Sequence, residues 1–112
     1  MEHTMKLQEK YFDKIKNGKK IFEIRLNDEK RRLIQVGDLI KFFKEPFLRE
    51  AIVVKVEGLI CFGSFEEMAD AVEFDKLGFD GETRESVLAT YRTFYSREDE
   101  KKYGVLAIKV AV

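Results

Sequence analysis

The fold is decided by the stretch Asn17-Gly-Lys-Lys-Ile-Phe-Glu-Ile-Arg-Leu26. Gly18 can take the left-handed conformation that closes a helix, so the chain is expected to enter a strand at residue 19. Because side chains alternate along a strand, the apolar residues at positions 22, 24 and 26 are expected to face a core. Glu23 and Arg25 share the opposite face. A carboxylate and a guanidinium placed two residues apart can act on one ligand or on each other.

The composition of the 112 residues is typical of a compact soluble fold, with 45% hydrophobic and 38% charged residues. This length fits a single domain, residues 1–112. No apolar run approaches the ~18–20 residues of a membrane span, and residues 1–7 lack the apolar segment of a signal peptide. We therefore expect a cytoplasmic protein that makes no contact with a membrane.

The sequence has too few cysteine and histidine residues for a structural metal site, and we expect no metal or cofactor. One cysteine cannot form an internal disulfide, and one cysteine with one histidine is too few for a structural zinc site. Cys61 lies between Ile60 and Phe62 and is expected in the core. His3 is expected to be an ordinary surface residue near a mobile chain end.

The formal net charge of zero conceals an asymmetry between the two halves of the chain. Residues 1–50 carry 13 Lys and Arg against 9 Asp and Glu, whereas residues 51–112 carry 8 against 12. The densest basic stretch, residues 19–32, overlaps the opening segment, and residues 65–85 are acidic. A localised basic surface suits an anionic partner such as RNA, although a zero total gives no strong long-range attraction. A solvated surface of neighbouring ion pairs is the alternative.

Hydrophobic periodicity predicts the order of the elements. Strands are predicted over residues 5–7, 19–26, 39–44, 50–57 with an extension at 59–62, and 103–112. Helices are predicted over residues 8–17, from a capping box formed by Ser64 and Glu67, and from about Thr83 to the polar run 96–102. Residues 73–81 are predicted to be a linker. Strands that cluster in the middle of the chain, with helices at two places, indicate an α+β fold. We expect a small, mostly antiparallel β-barrel with peripheral helices.

A family resemblance follows from three short motifs. Residues 18–25, Gly-Lys-Lys-Ile-Phe-Glu-Ile-Arg, resemble the G-x-K-x-x-E-x-R signature of the ASCH domain, a relative of the PUA fold found in RNA-associated proteins. Val36-Gly37-Asp38 resembles the V-G-D turn of the family, and residues 103–108 resemble its last strand. The resemblance implies a PUA-like β-barrel. It also implies that RNA or a nucleotide-like ligand binds in a cleft lined by the signature residues.

The resemblance and the local charge together give a set of candidate site residues. Lys20 and Arg25 would neutralise a phosphate or contact a base edge, and Glu23 would accept hydrogen bonds from a base or orient Arg25. The candidate ligand-binding residues are Lys19, Lys20, Glu23, Arg25, Lys30, Arg31, Arg32 and Tyr103. Tyr91, Phe94 and Tyr95 are expected in the core, although a tyrosine at a cleft edge could stack on a base.

Four alternatives stay open. Some small bacterial members of the resembled family hydrolyse N4-acetylcytidine with a signature lysine, a threonine nucleophile and a distal glutamate. Lys20 matches that lysine, but Glu23 stands in place of the threonine, and a carboxylate is a poor substitute for an activated hydroxyl. Ribonuclease activity has also been proposed in the family. For either enzyme Lys20 and Glu23 are the candidate catalytic residues. The remaining alternatives are binding of a non-nucleic anion and a purely structural ion pair.

Overall fold

Five strands form one sheet in the computed structural model, which describes residues 1–112. The strands are β1 (Glu2–Leu7), β2 (Phe22–Leu26), β3 (Leu39–Lys44), β4 (Ala51–Phe62) and β5 (Val105–Ala111). The helices are α1 (Glu9–Lys16), α2 (Phe65–Ala71), α3 (Phe74–Leu77), α4 (Arg84–Phe94) and α5 (Arg97–Tyr103), and a short 3-10 turn covers Arg31–Leu33. None of these helices has the length and apolar character that a membrane crossing requires.

The sheet is open and mixed, with the strand order β1-β3-β4-β5-β2. β1 pairs parallel to β3, and the other three pairs are antiparallel. The expected α+β class is confirmed. The expected closed, mostly antiparallel barrel is wrong, since the sheet is a mixed, open half-barrel with β1 and β2 as its two edges. The physical reason is that β1 and β2 make no main-chain ladder with each other. The Arg25 side chain bridges them instead, by donating to the Lys6 carbonyl at 2.8 Å.

The sheet carries an apolar cluster on each face. The inner cluster lies between the curved sheet and α1 and consists of Met5, Leu7, Phe12, Ile15, Ile34, Ile40, Phe42, Val54, Val56, Leu106, Ile108 and Val110. The outer cluster lies between the sheet and the remaining helices and consists of Ile24, Leu26, Phe65, Met68, Val72, Leu77, Phe79, Val87, Tyr91, Val105 and Ala107. Because β5 contributes to both clusters, it is apolar at consecutive positions.

Several local predictions are confirmed. α1 ends at Lys16, and Gly18 follows with φ +83° in the left-handed region. Ser64 caps α2 by accepting a hydrogen bond from the Glu67 amide at 3.1 Å, and the Glu67 carboxylate accepts one from the Gly63 amide at 2.8 Å. Thr83 caps α4 in the same way, through the Ser86 amide.

Other local predictions are wrong. The predicted linker 73–81 contains α3, because Leu77 and Phe79 are buried in the outer cluster. The polar run after Ser96 forms α5, with Ser96 as its cap. Cys61 is exposed, although its partner in the strand register, Leu106, belongs to the inner cluster.

The start of the chain is held in place by the V-G-D turn. His3 lies on β1, and its Nε2 is 2.8 Å from Oδ2 of Asp38, so the expectation of an ordinary residue at a mobile end is wrong. The same carboxylate accepts a hydrogen bond from the Gln35 amide at 3.0 Å. The turn is fixed to β4 because the Val56 amide donates to the Asp38 carbonyl at 2.8 Å. These contacts set the position of β1 beside β3.

Candidate functional site

Three charged residues of the signature form a buried cluster at the start of β2. Oε1 of Glu23 is 3.4 Å from Nζ of Lys20, and Oε2 of Glu23 accepts a hydrogen bond from Nε of Arg25 at 2.7 Å. Lys20 is 3% exposed and Glu23 is 6% exposed. Two cations and one anion lie together here, so the cluster carries a net positive charge. The Glu23 face of β2 is therefore as deeply buried as the apolar face.

Lys20 is fixed by main-chain oxygens as well as by Glu23. Its ammonium donates to the carbonyl of Phe22 at 2.6 Å and to the carbonyl of Leu77 at 2.8 Å. Burial lowers the pKa of Lys20, and the neighbouring Glu23 carboxylate opposes part of that effect. With three oxygen atoms around it, the ammonium has an acceptor for each of its hydrogens. This arrangement ties the beginning of β2 to α3.

Glu23 is ionised at neutral pH. Burial by itself raises the pKa of Glu23, but Arg25 and Lys20 together outweigh burial, and the pKa lies below its usual value. Burial by itself lowers the pKa of Arg25, but the charge and hydrogen bond of Glu23, together with Tyr95 and Glu45, outweigh burial and raise it, so Arg25 stays a cation. Nη2 of Arg25 donates to the carbonyl of Lys6 at 2.8 Å. Nη1 of Arg25 makes no hydrogen bond within the protein and remains available to a ligand.

The cluster forms the charged end of a cavity that we call the aromatic pocket. Its volume is about 190 Å³. It is lined by Lys6, Leu7, Gln8, Tyr11, Lys20, Glu23, Ile24, Arg25, Glu45, Phe79, Thr90, Tyr91, Phe94 and Tyr95. Five of these side chains are aromatic, and they come from α1, from α4 and its C-terminal end, and from the segment after α3. The pocket therefore combines an ionic end with aromatic walls.

The aromatic rings of the pocket pack edge-on in two pairs, and three of the five carry a hydroxyl group. Phe79 meets the ring of Tyr11 and the ring of Tyr91 edge-on, each with ring centroids 5.6 Å apart. Burial is the main reason why the pKa values of Tyr11, Tyr91 and Tyr95 are raised above 10.0. Their hydroxyl groups are therefore protonated at neutral pH and can donate hydrogen bonds. Phe94 is 52% exposed and lies at the mouth of the pocket.

A second cavity adjoins the first, and we call it the basic groove. It has a volume of about 460 Å³ and is lined by Thr4, Met5, Lys6, Arg25, Lys30, Arg31, Phe43 and Leu48. Lys6 and Arg25 line both cavities, so the two cavities are contiguous. Every charged side chain that lines the groove is a cation. Nε of Arg31 is buried there without a hydrogen-bond partner, although Nη1 of the same residue lies 3.5 Å from Asp28.

The structure brings together some of the predicted site residues and separates others. Lys20, Glu23 and Arg25 line the aromatic pocket, and Lys30 and Arg31 line the basic groove. The remaining predicted residues, Lys19, Arg32 and Tyr103, line neither cavity.

Each of these three residues has a local contact instead. Lys19 lies exposed in the turn before β2, where its amide donates to the Asn17 side chain at 3.0 Å. Nε of Arg32 donates to the carbonyl of Asn27 at 2.7 Å. Tyr103 packs against the outer cluster.

The sequence provided no site prediction for Tyr11 and Phe79, and it placed the other three aromatic residues of the pocket in the core while leaving open a tyrosine that stacks on a base at a cleft edge. The core expectation is wrong for Phe94, which is 52% exposed. Tyr11 and Tyr91 lie on the apolar sides of their helices, so their pattern is the same as that of ordinary core residues. Lys6 lies on an edge strand with no motif around it. The only sequence signal was the density of aromatic residues toward the end of α4. These side chains become a pocket because α1, α4 and the segment after α3 surround one cavity beside the start of β2.

No group of three or more His, Cys, Asp or Glu side chains is placed to hold a metal ion. The aromatic pocket presents the carboxylates of Glu23 and Glu45, several cations, tyrosine hydroxyls and aromatic rings.

Known proteins resemble the chain in sequence and in fold. The sequence model of the ASCH domain matches residues 5–112. The crystal structure of the hypothetical protein PH0355 is 42% identical, with 98% of this chain and 97% of that one covered and a TM-score of 0.88. The solution NMR structure of protein PF0455 from Pyrococcus furiosus is 39% identical, with 98% and 96% covered and a TM-score of 0.78.

A more distant structure shares the fold. The crystal structure of ASCH from Zymomonas mobilis is 14% identical, with 99% of this chain and 67% of that one covered and a TM-score of 0.69. No curated protein matches the sequence.

Proposed function

The chain belongs to the ASCH domain family, and on that premise we propose that it binds RNA or a nucleotide, with one base in the aromatic pocket and the adjoining phosphate in the basic groove. The family is PUA-like and associated with RNA binding. The observation that carries the proposal is the shared wall of the two cavities. Lys6 and Arg25 line both, so a base and its own phosphate can be held at the same time.

The aromatic pocket has the size and chemistry for a single base. Its volume of about 190 Å³ lies below the ~300–1,000 Å³ of pockets for drug-sized ligands. Aromatic walls allow a base to stack, which contributes about 1–3 kcal/mol per base. The Glu23 carboxylate accepts hydrogen bonds, and the free Nη1 of Arg25 donates them. Such a pair matches a base edge on which an amino group and a carbonyl oxygen are neighbours.

The basic groove has the chemistry for a phosphate. Its charged lining consists of four cations with no carboxylate. The buried Nε of Arg31 has no acceptor within the protein, and a buried donor in that state costs about 1–3 kcal/mol. A small rotation of the guanidinium toward the groove would let a phosphate oxygen supply the missing acceptor. Arg31 and Lys30 therefore act in the proposal as the phosphate-binding residues.

The contacts of Lys20 favour a binding site over a hydrolase. To act as a base, Lys20 would have to give up its proton and one of its hydrogen bonds to oxygen. Its ammonium instead faces two carbonyl groups and the Glu23 carboxylate. In the proposal Lys20 therefore holds Glu23 in place. Because a single sheet carries both apolar clusters, we propose that residues 1–112 form one ASCH-like domain. We also propose that it acts in the cytoplasm and without a cofactor.

Calorimetric titration with the four nucleoside monophosphates and a short unstructured RNA tests the proposal. We expect Phe94→Ala to weaken binding by roughly 5- to 150-fold, which corresponds to the loss of one stacking contact. Phe94 is half exposed, so its removal is expected to leave the free energy of unfolding nearly unchanged. The matched control is Phe47→Ala, because Phe47 is 76% exposed and lines neither cavity.

Two results would contradict the proposal. One is equal binding by Phe94→Ala and the wild-type protein, which would leave the aromatic pocket without a role. The other is turnover of N4-acetylcytidine by the wild-type protein that is lost in Glu23→Ala, which would make the site a hydrolase.

A further inference from the structure

Part of the outer sheet face has no helix packed on it. The helices of the outer cluster cover β2, β5 and the end of β4, and they leave β1, β3 and the start of β4 open. Four lysines point outward on these strands and on β5, because their sequence neighbours belong to the inner cluster. They are Lys6 on β1, Lys41 on β3, Lys55 on β4 and Lys109 on β5. We call these four residues the lysine row.

The strand register places the lysine row on one diagonal line. Lys6 lies opposite Phe43, and Lys41 is two residues before Phe43 on the same strand. Lys55 lies opposite Leu39, which is two residues before Lys41.

The last step repeats the pattern. Lys55 also lies opposite Ala111, and Lys109 is two residues before Ala111. Each step therefore moves one strand across and two residues along, in the same direction. Diagonal neighbours in a sheet are about 7–8 Å apart, so the row extends in steps similar to the spacing of successive phosphates in an extended single strand.

The four lysines are free of the ion pairs that neutralise other lysines. No carboxylate lies within ion-pairing distance of any ammonium in the row. In contrast, Lys16 and Lys44 both pair with Glu50. The acidic side chains nearest in register are Glu2, opposite Leu39, and Glu57, at the bulge of β4. The row is therefore an uncompensated line of positive charge.

The row begins inside the proposed ligand site. Lys6 lines both the aromatic pocket and the basic groove. Phe43, opposite Lys6, lines the groove as well, and Nζ of Lys41 lies 5.3 Å from the centroid of its ring. An anionic chain that leaves the groove would meet Lys41 next and Lys55 after it.

We propose that the lysine row binds the backbone of a single-stranded polynucleotide whose first phosphate lies in the basic groove. This inference rests on the proposed function and extends it from one nucleotide to a strand of several. A single line of cations matches one phosphate backbone, whereas a duplex presents two backbones separated by a groove. Phe43 and Val53 lie beside the row, where they provide apolar surface for the bases.

The test compares the binding of uridine monophosphate, a uridine trinucleotide and a uridine nonanucleotide by fluorescence anisotropy and calorimetry. We expect the wild-type affinity to rise from the trinucleotide to the nonanucleotide. The double variant Lys41→Gln/Lys55→Gln should lose that rise and keep the wild-type affinity for the monophosphate. Two lost phosphate contacts should reduce the slope of log affinity against log salt by about 1.4, a loss of roughly 10- to 25-fold near 0.1 M salt.

The matched control is Lys101→Gln/Lys102→Gln. It removes the same charge from α5, outside the row and both cavities, and should behave like the wild-type protein.

The possible outcomes separate the two proposals. The proposal for the lysine row is contradicted if affinity does not rise with RNA length. It is also contradicted if Lys41→Gln/Lys55→Gln keeps the rise. Either result leaves the nucleotide site intact. If the protein binds vesicles that contain phosphatidylserine, and its affinity for the nonanucleotide does not exceed that for the trinucleotide, the lysine row binds a membrane surface. That result also contradicts the proposal that the row binds a polynucleotide. Absence of binding to any of the three ribonucleotides overturns the proposed function itself.

Discussion

The guanidinium of Arg25 on β2 donates through Nη2 to the main-chain carbonyl of Lys6 on β1, at 2.8 Å, and this bond bridges the two edges of the open sheet. The same guanidinium holds the Glu23 carboxylate through Nε. One side chain therefore links the edges of the half-barrel and shapes the wall between the aromatic pocket and the basic groove. The stability of the sheet and the geometry of the site depend on a common residue.

Arg25→Lys is expected to lower the free energy of unfolding by about 1–3 kcal/mol, because a lysine cannot donate to Glu23 and to the Lys6 carbonyl in the geometry of the guanidinium fork. Urea denaturation measures the change. Arg97→Lys is the control, since Arg97 has a side chain that is 75% exposed, and it should change the stability by less than about 0.5 kcal/mol. Equal stability of the two variants would show that the bridge between the edges contributes nothing.

Glu23→Gln is expected to lower the free energy of unfolding by about 3–5 kcal/mol, because it leaves the buried Lys20 and Arg25 without their counter-charge. The pKa of Lys20 should fall further below its ordinary value of 10.5. A lysine with a lowered pKa binds its proton more weakly in the folded than in the unfolded state, so stability rises as the pH increases toward that ordinary value. The variant should therefore gain more stability than the wild-type protein between neutral and alkaline pH.

Denaturant titrations at several pH values measure this difference. Glu29→Gln removes an exposed carboxylate and serves as the control. Parallel pH profiles of Glu23→Gln and the wild-type protein would contradict the assigned role of Glu23.

Asp38→Asn is expected to lower stability at neutral pH and to flatten the acid side of the stability profile. The hydrogen bond from His3, the Gln35 amide and the N-terminal ammonium lower the pKa of Asp38 from 3.8 to about 2. A carboxylate with a lowered pKa stabilises the folded state above its unfolded pKa, and that contribution is lost as the pH falls through its folded pKa. The difference between wild type and variant should thus shrink from pH 4 to pH 2.

Acid titration followed by circular dichroism measures the Asp38 effect. Asp99→Asn is the control, because the Asp99 carboxylate makes no ion pair or hydrogen bond and its removal should leave the acid profile parallel to that of the wild-type protein. If the stability profile of Asp38→Asn also stays parallel to that of the wild-type protein, the Asp38 carboxylate does not contribute to the acid dependence of stability.

Gly78→Ala is expected to destabilise the protein more than Gly81→Ala. Both glycines have positive φ, +88° and +77°, and an alanine there costs about 1–2 kcal/mol of backbone strain. A Cβ at position 78 would also lie 3.2 Å from Cδ of Lys20, whereas a Cβ at position 81 would meet no atom within 4 Å. Crowding of Lys20 should add about 1 kcal/mol. If thermal denaturation shows the same loss of stability for both variants, the Lys20 side chain can move away from the new Cβ without cost.

The sequence alone identified the features that depend on a few neighbouring residues. Gly18 ends α1, Ser64 and Glu67 begin α2, and the signature strand continues to Leu26 as predicted. These features follow from hydrogen bonds between residues at most four positions apart and from the alternation of apolar side chains, and both are visible in the chain. The resemblance of residues 18–25 to the ASCH signature also identified the family.

Only the tertiary structure decided how the pieces meet. The sheet is open because β1 pairs with β3 and not with β2, and Cys61 is exposed at the end of β4. Tyr11 and Tyr91 became walls of one pocket because Phe79 contacts both rings beside the start of β2. Such contacts join residues that are far apart in sequence, and their free energies depend on packing that no local pattern encodes. The sequence by itself therefore determined the charged strand, whereas the fold determined that its charges are buried beside an aromatic pocket.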